Sequence, residues 1–84
     1  MKKVIVIGSP GAGKSVFSQK LSKITQIHLY HIDKIYHKED GTHISKEELE
    51  CKLREIFKNN SWIIDGNYQR TLEMRVKECD TIFL

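Results

Sequence analysis

The chain has one proline in 84 residues, two cysteines, one tryptophan, and no apolar run longer than the VIVI at 4–7. A run that short is neither the apolar segment of a secretory leader nor a membrane span, so a cytoplasmic protein without a membrane partner is expected. Cys51 and Cys79 stand far apart and outside any CxxC pattern. That argues against a disulfide framework or a zinc knuckle and leaves two free, buried thiols as the expectation. There is no repeat, low-complexity tract or linker, and 84 residues make one small domain at most. Excess charge is scarce as well. The formal net charge is +3, with lysines and arginines interleaved with acids, as in KEELECKLRE. Such interleaving belongs to solvated helix surface, so direct nucleic-acid binding is not expected.

What the sequence does have is alternation. Residues 2–8 (KKVIVIG) read as a strand, and the unbroken β-branched run suits a parallel strand covered on both faces. From Lys14 to about Ile24, the residues Phe17, Leu21 and Ile24 recur at i, i+4, i+7 and predict a helix with one apolar face. Residues 27–32 (IHLYHI) read as a second strand. The stretch DKIYHKEDGTH at 33–43 has no periodicity and is expected to be a polar loop. Ser45 and Glu48 form a capping box, with Ile44 and Leu49 as the hydrophobic staple around it. The helix so started keeps Leu49, Leu53, Ile56 and Phe57 on one face and stops near Asn59-Asn60. WIID at 62–65 is a third strand, ended by Gly66-Asn67. A third helix is expected from Thr71 to Glu78, with Leu72, Val76 and Cys79 on its apolar face, and TIFL at 81–84 begins a fourth strand. Trp62 and Phe57 are expected in the core. Strand and helix alternate throughout, which predicts an α/β layer fold around a parallel sheet.

The most informative stretch is GSPGAGKS at 8–15, directly after the first strand. Gly8, four free positions, Gly13, Lys14 and Ser15 satisfy the G-x-x-x-x-G-K-[ST] pattern of a phosphate-binding loop. A polyphosphate is a dense cluster of anionic oxygens, best cradled by a ring of inward-pointing backbone N–H groups. A turn that tight calls for positive φ and no Cβ in the way, hence Gly8, Gly11 and Gly13. A helix opening at Gly13 adds its unpaired amides and the positive end of its dipole. The residues Gly8, Ser9, Pro10, Gly11, Ala12, Gly13, Lys14, Ser15 and Val16 are thus the expected ATP-binding segment. Lys14 would reach the β- and γ-phosphates and the Ser15 hydroxyl would ligate Mg²⁺. Chance matching is on the order of one in several hundred for a chain of this length. Here the match lies between an apolar strand and an amphipathic helix, the placement the motif requires.

Two further stretches fall on the same carboxyl edge of a parallel sheet, where open α/β sheets bind ligands. Asp33 follows the second strand, and Asp65 and Gly66 follow the third. Carboxylates there can hold Mg²⁺ through water, accept a proton from an attacking hydroxyl, or bind the phosphoryl acceptor. Equally, an Asp at a strand end caps a helix or a turn. Arg70 and Arg75 carry guanidinium groups of the kind that grip acceptor phosphate or spread γ-phosphoryl charge, or else they lie on a solvated helix. Tyr36 and Tyr68 lie beside this edge as candidate substrate contacts. No acidic or cysteine partner completes a ligand set for His28, His31, His37 and His43, and His28 and His31 point to opposite strand faces, so no metal site is read into them.

Together, GSPGAGKS, YHIDKIY, WIIDGNYQRTLEMR and CDTIFL resemble the topology-modulation (FlaR-related) kinases of the adenylate-kinase-like P-loop group, and the resemblance runs through essentially the whole chain. It implies a three-layer nucleoside-monophosphate-kinase-like core with strand order 2-3-1-4-5. It also implies ATP·Mg²⁺ as donor and a small-molecule or nucleotide acceptor whose identity is open. Asp33 matches the acidic residue such kinases place near the acceptor, and Asp65 and Gly66 match the Asp-Gly after the third strand of adenylate kinases. There the pair leads into Phe-Pro-Arg; here Asn67-Tyr68-Gln69-Arg70 stands instead, one residue longer, which argues against AMP as acceptor. In such kinases the fourth strand runs on to an acidic residue, an arginine-bearing lid and a fifth strand. The resemblance therefore implies that residues 1–84 are the N-terminal half of a longer kinase, a partial domain truncated after its fourth strand. On its own such a half would bind nucleotide weakly and transfer phosphoryl groups negligibly.

The expected function is an ATP-dependent kinase core. Lys14 and the loop amides hold the phosphates, Ser15 holds Mg²⁺, and Asp33 positions or deprotonates the acceptor. Asp65, Gly66 and Tyr68 help bind that acceptor, and Arg70 or Arg75 steadies charge, with catalysis by positioning and electrostatics. The competing reading is a nucleotide-binding regulatory protein associated with DNA topology that does little chemistry. A sequence pI of 8.9 favours it and the dispersed charge opposes it. A P-loop GTPase would carry N-K-x-D, which the sequence lacks. An oligomer is compatible with any of these readings.

Overall fold

The structure is a computed structural model that describes residues 1–8 and 13–84, apart from the side chain of Ser15. Its elements are β1 (Lys3–Val6), α1 (Lys14–Thr25), β2 (Leu29–His31), α2 (Ile32–Tyr36), α3 (Lys46–Phe57), β3 (Trp62–Asp65), α4 (Leu72–Glu78) and β4 (Thr81–Phe83), with a 3-10 turn at Gln69–Thr71 leading into α4. The four strands form one sheet in the order β2-β3-β1-β4, and every pairing is parallel. This is the α/β architecture the alternation predicts, and the order matches the first four strands implied by the resemblance.

Side chains alternate across the sheet, so each inner strand feeds two cores. Val4, Val6 and Ile63 pack beneath α1 with Leu21, Ile27, Leu29 and Phe83. Ile5, Trp62 and Ile64 face the other way and pack against Ile32, Ile44, Leu49, Leu53 and Ile56 from α2, α3 and the segment between them. Val4, Ile5, Ile63 and Ile64 are fully buried, as strands covered on both faces must be. Of the expected capping box the Ser45 half is formed: the Ser45 hydroxyl accepts from the Glu48 amide at 3.1 Å, and Ile44 and Leu49 both enter the core. Trp62 is fully buried against Phe57, with rings 5.1 Å apart.

Four local expectations are corrected. The stretch 33–43 is not a featureless loop: α2 occupies its start, and His37 and His43 pair as an antiparallel bridge. On α1 Leu21 packs on the core as expected, but the fully buried residue is Ser18, while Phe17 is 41% and Ile24 81% exposed. Ser18 is small enough to let the helix approach the sheet, and its hydroxyl is satisfied by the Lys14 carbonyl at 2.8 Å. On α4, Val76 faces solvent and Thr71 and Arg75 are buried in its place. Of the two thiols, both free, Cys51 is exposed and only Cys79 is partly buried. Among the described residues, no helix is long and apolar enough to cross a membrane.

One carboxylate ties the amino ends of the two neighbouring strands together. Asp80, just before β4, accepts from the Lys2 amide at 3.0 Å and the Lys3 amide at 3.1 Å. Partial desolvation pushes its carboxyl up, but bonds from the Thr81 hydroxyl and these two amides, with the N-terminal ammonium, outweigh it and hold the pKa below the ordinary carboxylate value. The folded state thus binds this proton less readily than the unfolded chain. The clamp therefore stabilises the protein above the unfolded pKa and is lost as pH falls through the folded one. Asp80→Asn is expected to lower the melting temperature at neutral pH, and the difference from the parent should shrink as pH falls through the lowered folded pKa. An equal difference at every pH would show that the charge is not what holds the strands.

Candidate functional site

The site is built where the β1–β3 ladder runs out. Strand register ends at Val6 opposite Asp65, and the Gly66 amide still donates to the Val6 carbonyl at 3.1 Å. Beyond that the backbones part, and a side chain continues the ladder. The Gly8 amide donates to Asn67 Oδ1 at 2.9 Å, and Asn67 Nδ2 donates back to the Gly8 carbonyl. A carboxamide offers the same donor–acceptor pair as a peptide unit, so Asn67 serves as one more rung and fixes the first residue of the glycine-rich segment. Gly8 itself is not left-handed; its described role is this pairing.

On the far side of residues 9–12, Gly13 is left-handed (φ 77) and caps α1, and among the described residues no side chain caps its first turn. The amides of that turn carry the positive end of the helix dipole. Gly8, Gly13 and Lys14, with Val6, Phe17 and Phe83, line a cleft of about 320 Å³ at the carboxyl edge of β1. Ser9, Pro10, Gly11, Ala12 and the Ser15 hydroxyl, all expected to cradle phosphate or metal, lie outside the described residues. Val16 turns its side chain to solvent (57% exposed), so only its amide belongs to the helix terminus.

Asp65 is 4% exposed and sits beside Val6 at the end of β3. Its register partner on β2 is His31, and His31 Nδ1 lies 2.8 Å from Asp65 Oδ1. The pair gives His31 the acidic partner that the linear sequence does not reveal, because the two meet only across the sheet. The second oxygen, Oδ2, is buried with no hydrogen-bond partner among the described residues. A buried carboxylate oxygen without a partner is costly, and a cation or a donor would satisfy it.

Gly66 and Tyr68 are held from below by Arg75. This residue is fully buried, and its guanidinium donates to the Gly66 carbonyl at 2.8 Å and the Tyr68 carbonyl at 2.6 Å. No carboxylate pairs with it among the described residues, and burial pushes its pKa down to about 10. The expectation that Arg75 grips phosphate is corrected here: both arms of the fork are committed to carbonyls, and the residue braces the turn. Gly66 has φ 136, and a Cβ there would overlap the Ile32 side chain, so the close approach of this turn to α2 requires glycine.

Asp33 lies exposed in the first turn of α2, and Arg70 is exposed in the 3-10 turn after β3. Tyr36 and Tyr68 meet edge to face at 4.6 Å. The neighbouring Tyr68 hydroxyl holds the Tyr36 hydroxyl above the ordinary phenol pKa, helped by partial desolvation and opposed by the positive charge of Arg70. The structure thus joins Gly8 to Asn67, Asp65 to His31, and Gly66 and Tyr68 to Arg75, while Asp33 stands apart. Asn67, His31 and the bracing role of Arg75 were missed by sequence reasoning; Asn67 and Gly8 are 59 residues apart, and no local signal links them.

Arg75→Ala should destabilise the fold by about 2–4 kcal/mol in urea unfolding, because it strands two carbonyls and opens a cavity. Arg75→Lys should not restore stability, since an ammonium cannot reproduce the two-armed geometry. Gly66→Ala should cost about 3 kcal/mol through overlap and left-handed strain. A surface role for Arg75 would instead leave both of its variants at parental stability.

Comparison with family models, curated proteins and solved structures finds no match to this chain.

Proposed function

We propose that this chain is the nucleotide-binding core of an ATP-dependent kinase, of the topology-modulation kind that its sequence resembles, acting on a small-molecule or nucleotide acceptor. The observation that carries the reading is one of placement. A G-x-x-x-x-G-K-S segment joins the central strand β1 to α1, with Gly8 pinned at one end by Asn67 and Gly13 left-handed at the other. In this reading the amides after Gly13 and the Lys14 ammonium hold the β- and γ-phosphates. Asp33, exposed in the first turn of α2, and Arg70, exposed in the 3-10 turn after β3, face the acceptor side, and Tyr36 and Tyr68 form its wall.

Magnesium fits the donor set, since Asp65 Oδ2 is a hard anionic oxygen on the same edge with no other partner among the described residues. The chemistry a magnesium ion supplies at such a site is neutralisation of phosphate charge. His31 keeps Asp65 oriented by binding its other oxygen.

Titration calorimetry with ATP·Mg²⁺ tests the binding step. Lys14→Ala should weaken binding about tenfold or more, the loss expected for one charge-assisted contact, with the melting temperature unchanged. Asn67→Ala should weaken it too, by freeing Gly8. Equal affinity in Lys14→Ala and the parent would contradict the reading. Incubation with γ-labelled ATP and a panel of nucleoside monophosphates and small hydroxylated acceptors tests the transfer step. Labelling by residues 1–84 alone is expected to be negligible, as for half of a kinase domain; labelling at the rate of ordinary kinases would refute that.

A further inference from the structure

Between α2 and α3 the chain makes a short hairpin that the nucleotide reading leaves unused. The Lys38 amide donates to the Thr42 carbonyl at 2.7 Å and the Ile44 amide to the Tyr36 carbonyl at 2.9 Å, and these two bonds bracket the antiparallel pair His37 and His43. Bonds on the flanking residues, with none between the paired residues themselves, define a non-hydrogen-bonded cross-strand pair. In that arrangement two side chains share one face with Cβ atoms about 4.5–5.5 Å apart, the closest approach a ladder allows.

The turn pins this register. Gly41 is left-handed (φ 89) and its amide donates to the Lys38 carbonyl at 3.2 Å. The Asp40 carboxylate accepts from the Thr42 amide at 3.0 Å and its hydroxyl at 2.6 Å. This is a three-residue hairpin loop with glycine at its left-handed position.

The His43 ring is oriented as well as placed. It stacks on Tyr36 with centroids 4.7 Å apart and planes 9° from parallel, and its Nδ1 lies 3.2 Å from the Ile44 carbonyl. Donating Nδ1–H to a carbonyl leaves the Nε2 lone pair free, the orientation that metal-bound imidazoles adopt. His37 packs edge-on against the same tyrosine at 5.2 Å, and both histidines are exposed.

We infer that His37 and His43 together chelate a divalent late first-row cation, with Zn²⁺ as the representative, through one nitrogen of each ring. Imidazole suits zinc, nickel and copper and discriminates against magnesium and calcium, so this site is chemically separate from a magnesium–phosphate site. No cluster of three or more metal-ligating side chains occurs among the described residues, so water completes the shell. The ion cross-links the two arms of the segment that carries Tyr36 at one end and the buried Ile44, leading into α3, at the other.

The test is calorimetric titration of the whole chain with zinc chloride, alongside melting curves with and without the metal. Saturable binding of one ion and a raised melting temperature are expected. His37→Ala and His43→Ala should each weaken binding by more than about tenfold, the loss that even an outer-shell partner causes, and His28→Ala should leave it unchanged. Metal-free melting curves establish that each variant folds. Long-range imidazole nitrogen spectra of the parent should show zinc moving His43 Nε2. The inference is overturned if no saturable binding occurs, if both single variants bind as the parent does, or if the shifted resonances belong to His28 or His31.

Discussion

The arrangement at the carboxyl edge depends on how far β3 remains paired with β1. The backbone ladder holds to Val6 and Asp65, and the Asn67 carboxamide extends it by one rung to Gly8. That last rung matters because Gly8 is where the chain must leave the sheet and turn towards α1. A loop that presents amides to a ligand is useful only if its ends are fixed beforehand, since ordering each free residue would cost roughly 1–2 kcal/mol of binding energy. Asn67 fixes one end and the left-handed Gly13 at the head of α1 fixes the other.

The turn that carries Asn67 is itself held in place. Arg75 reaches up from α4 to the carbonyls of Gly66 and Tyr68, and Gly66 lets the turn lie against Ile32. Burying an unpaired guanidinium is unfavourable, and the two short bonds to carbonyl oxygens offset part of that desolvation. In this chain of contacts α4 supports the turn, the turn positions Asn67, and Asn67 holds Gly8. Asp65 belongs to the same layer: its strand position sets it beside Val6, and His31 from the edge strand fixes one of its oxygens.

Elements with a strong period were legible in the sequence. WIID reads as a strand with the bounds it adopts, the Ser45 cap announces α3, and the strand–helix alternation gives the parallel sheet. Weak or long-range features were not. α2 has five residues and one fully buried anchor, Ile32, too little to set up a helical period. The Asp40-Gly41 dipeptide was a hairpin signal, but its flanks lack the alternation that would have confirmed it. Hydrophobicity chose Phe17, Leu21 and Ile24 as the inward face of α1; Leu21 packs inward, but close helix–sheet approach buries Ser18 and leaves Phe17 and Ile24 largely exposed. Of the candidate site, the G-x-x-x-x-G-K-S pattern is visible from spacing alone, because that motif is local. The Asn67–Gly8 rung, the His31–Asp65 pair and the Arg75 brace join residues from different elements and exist only once the sheet and its loops are in place. An arginine in a charged stretch reads as surface or ligand, and its burial is decided by carbonyls that only the folded turn exposes.

The central claim is that the chain between Gly8 and Lys14 closes around a triphosphate with its amides turned inward. Amide chemical shifts of the isotope-labelled protein, followed during titration with ATP·Mg²⁺, test it most directly. The account predicts large, saturable shifts at Gly8, Gly13, Lys14 and the residues between them, with smaller ones at Asp65 and Asn67. Shifts confined to other parts of the surface, or none at saturating nucleotide, would contradict it.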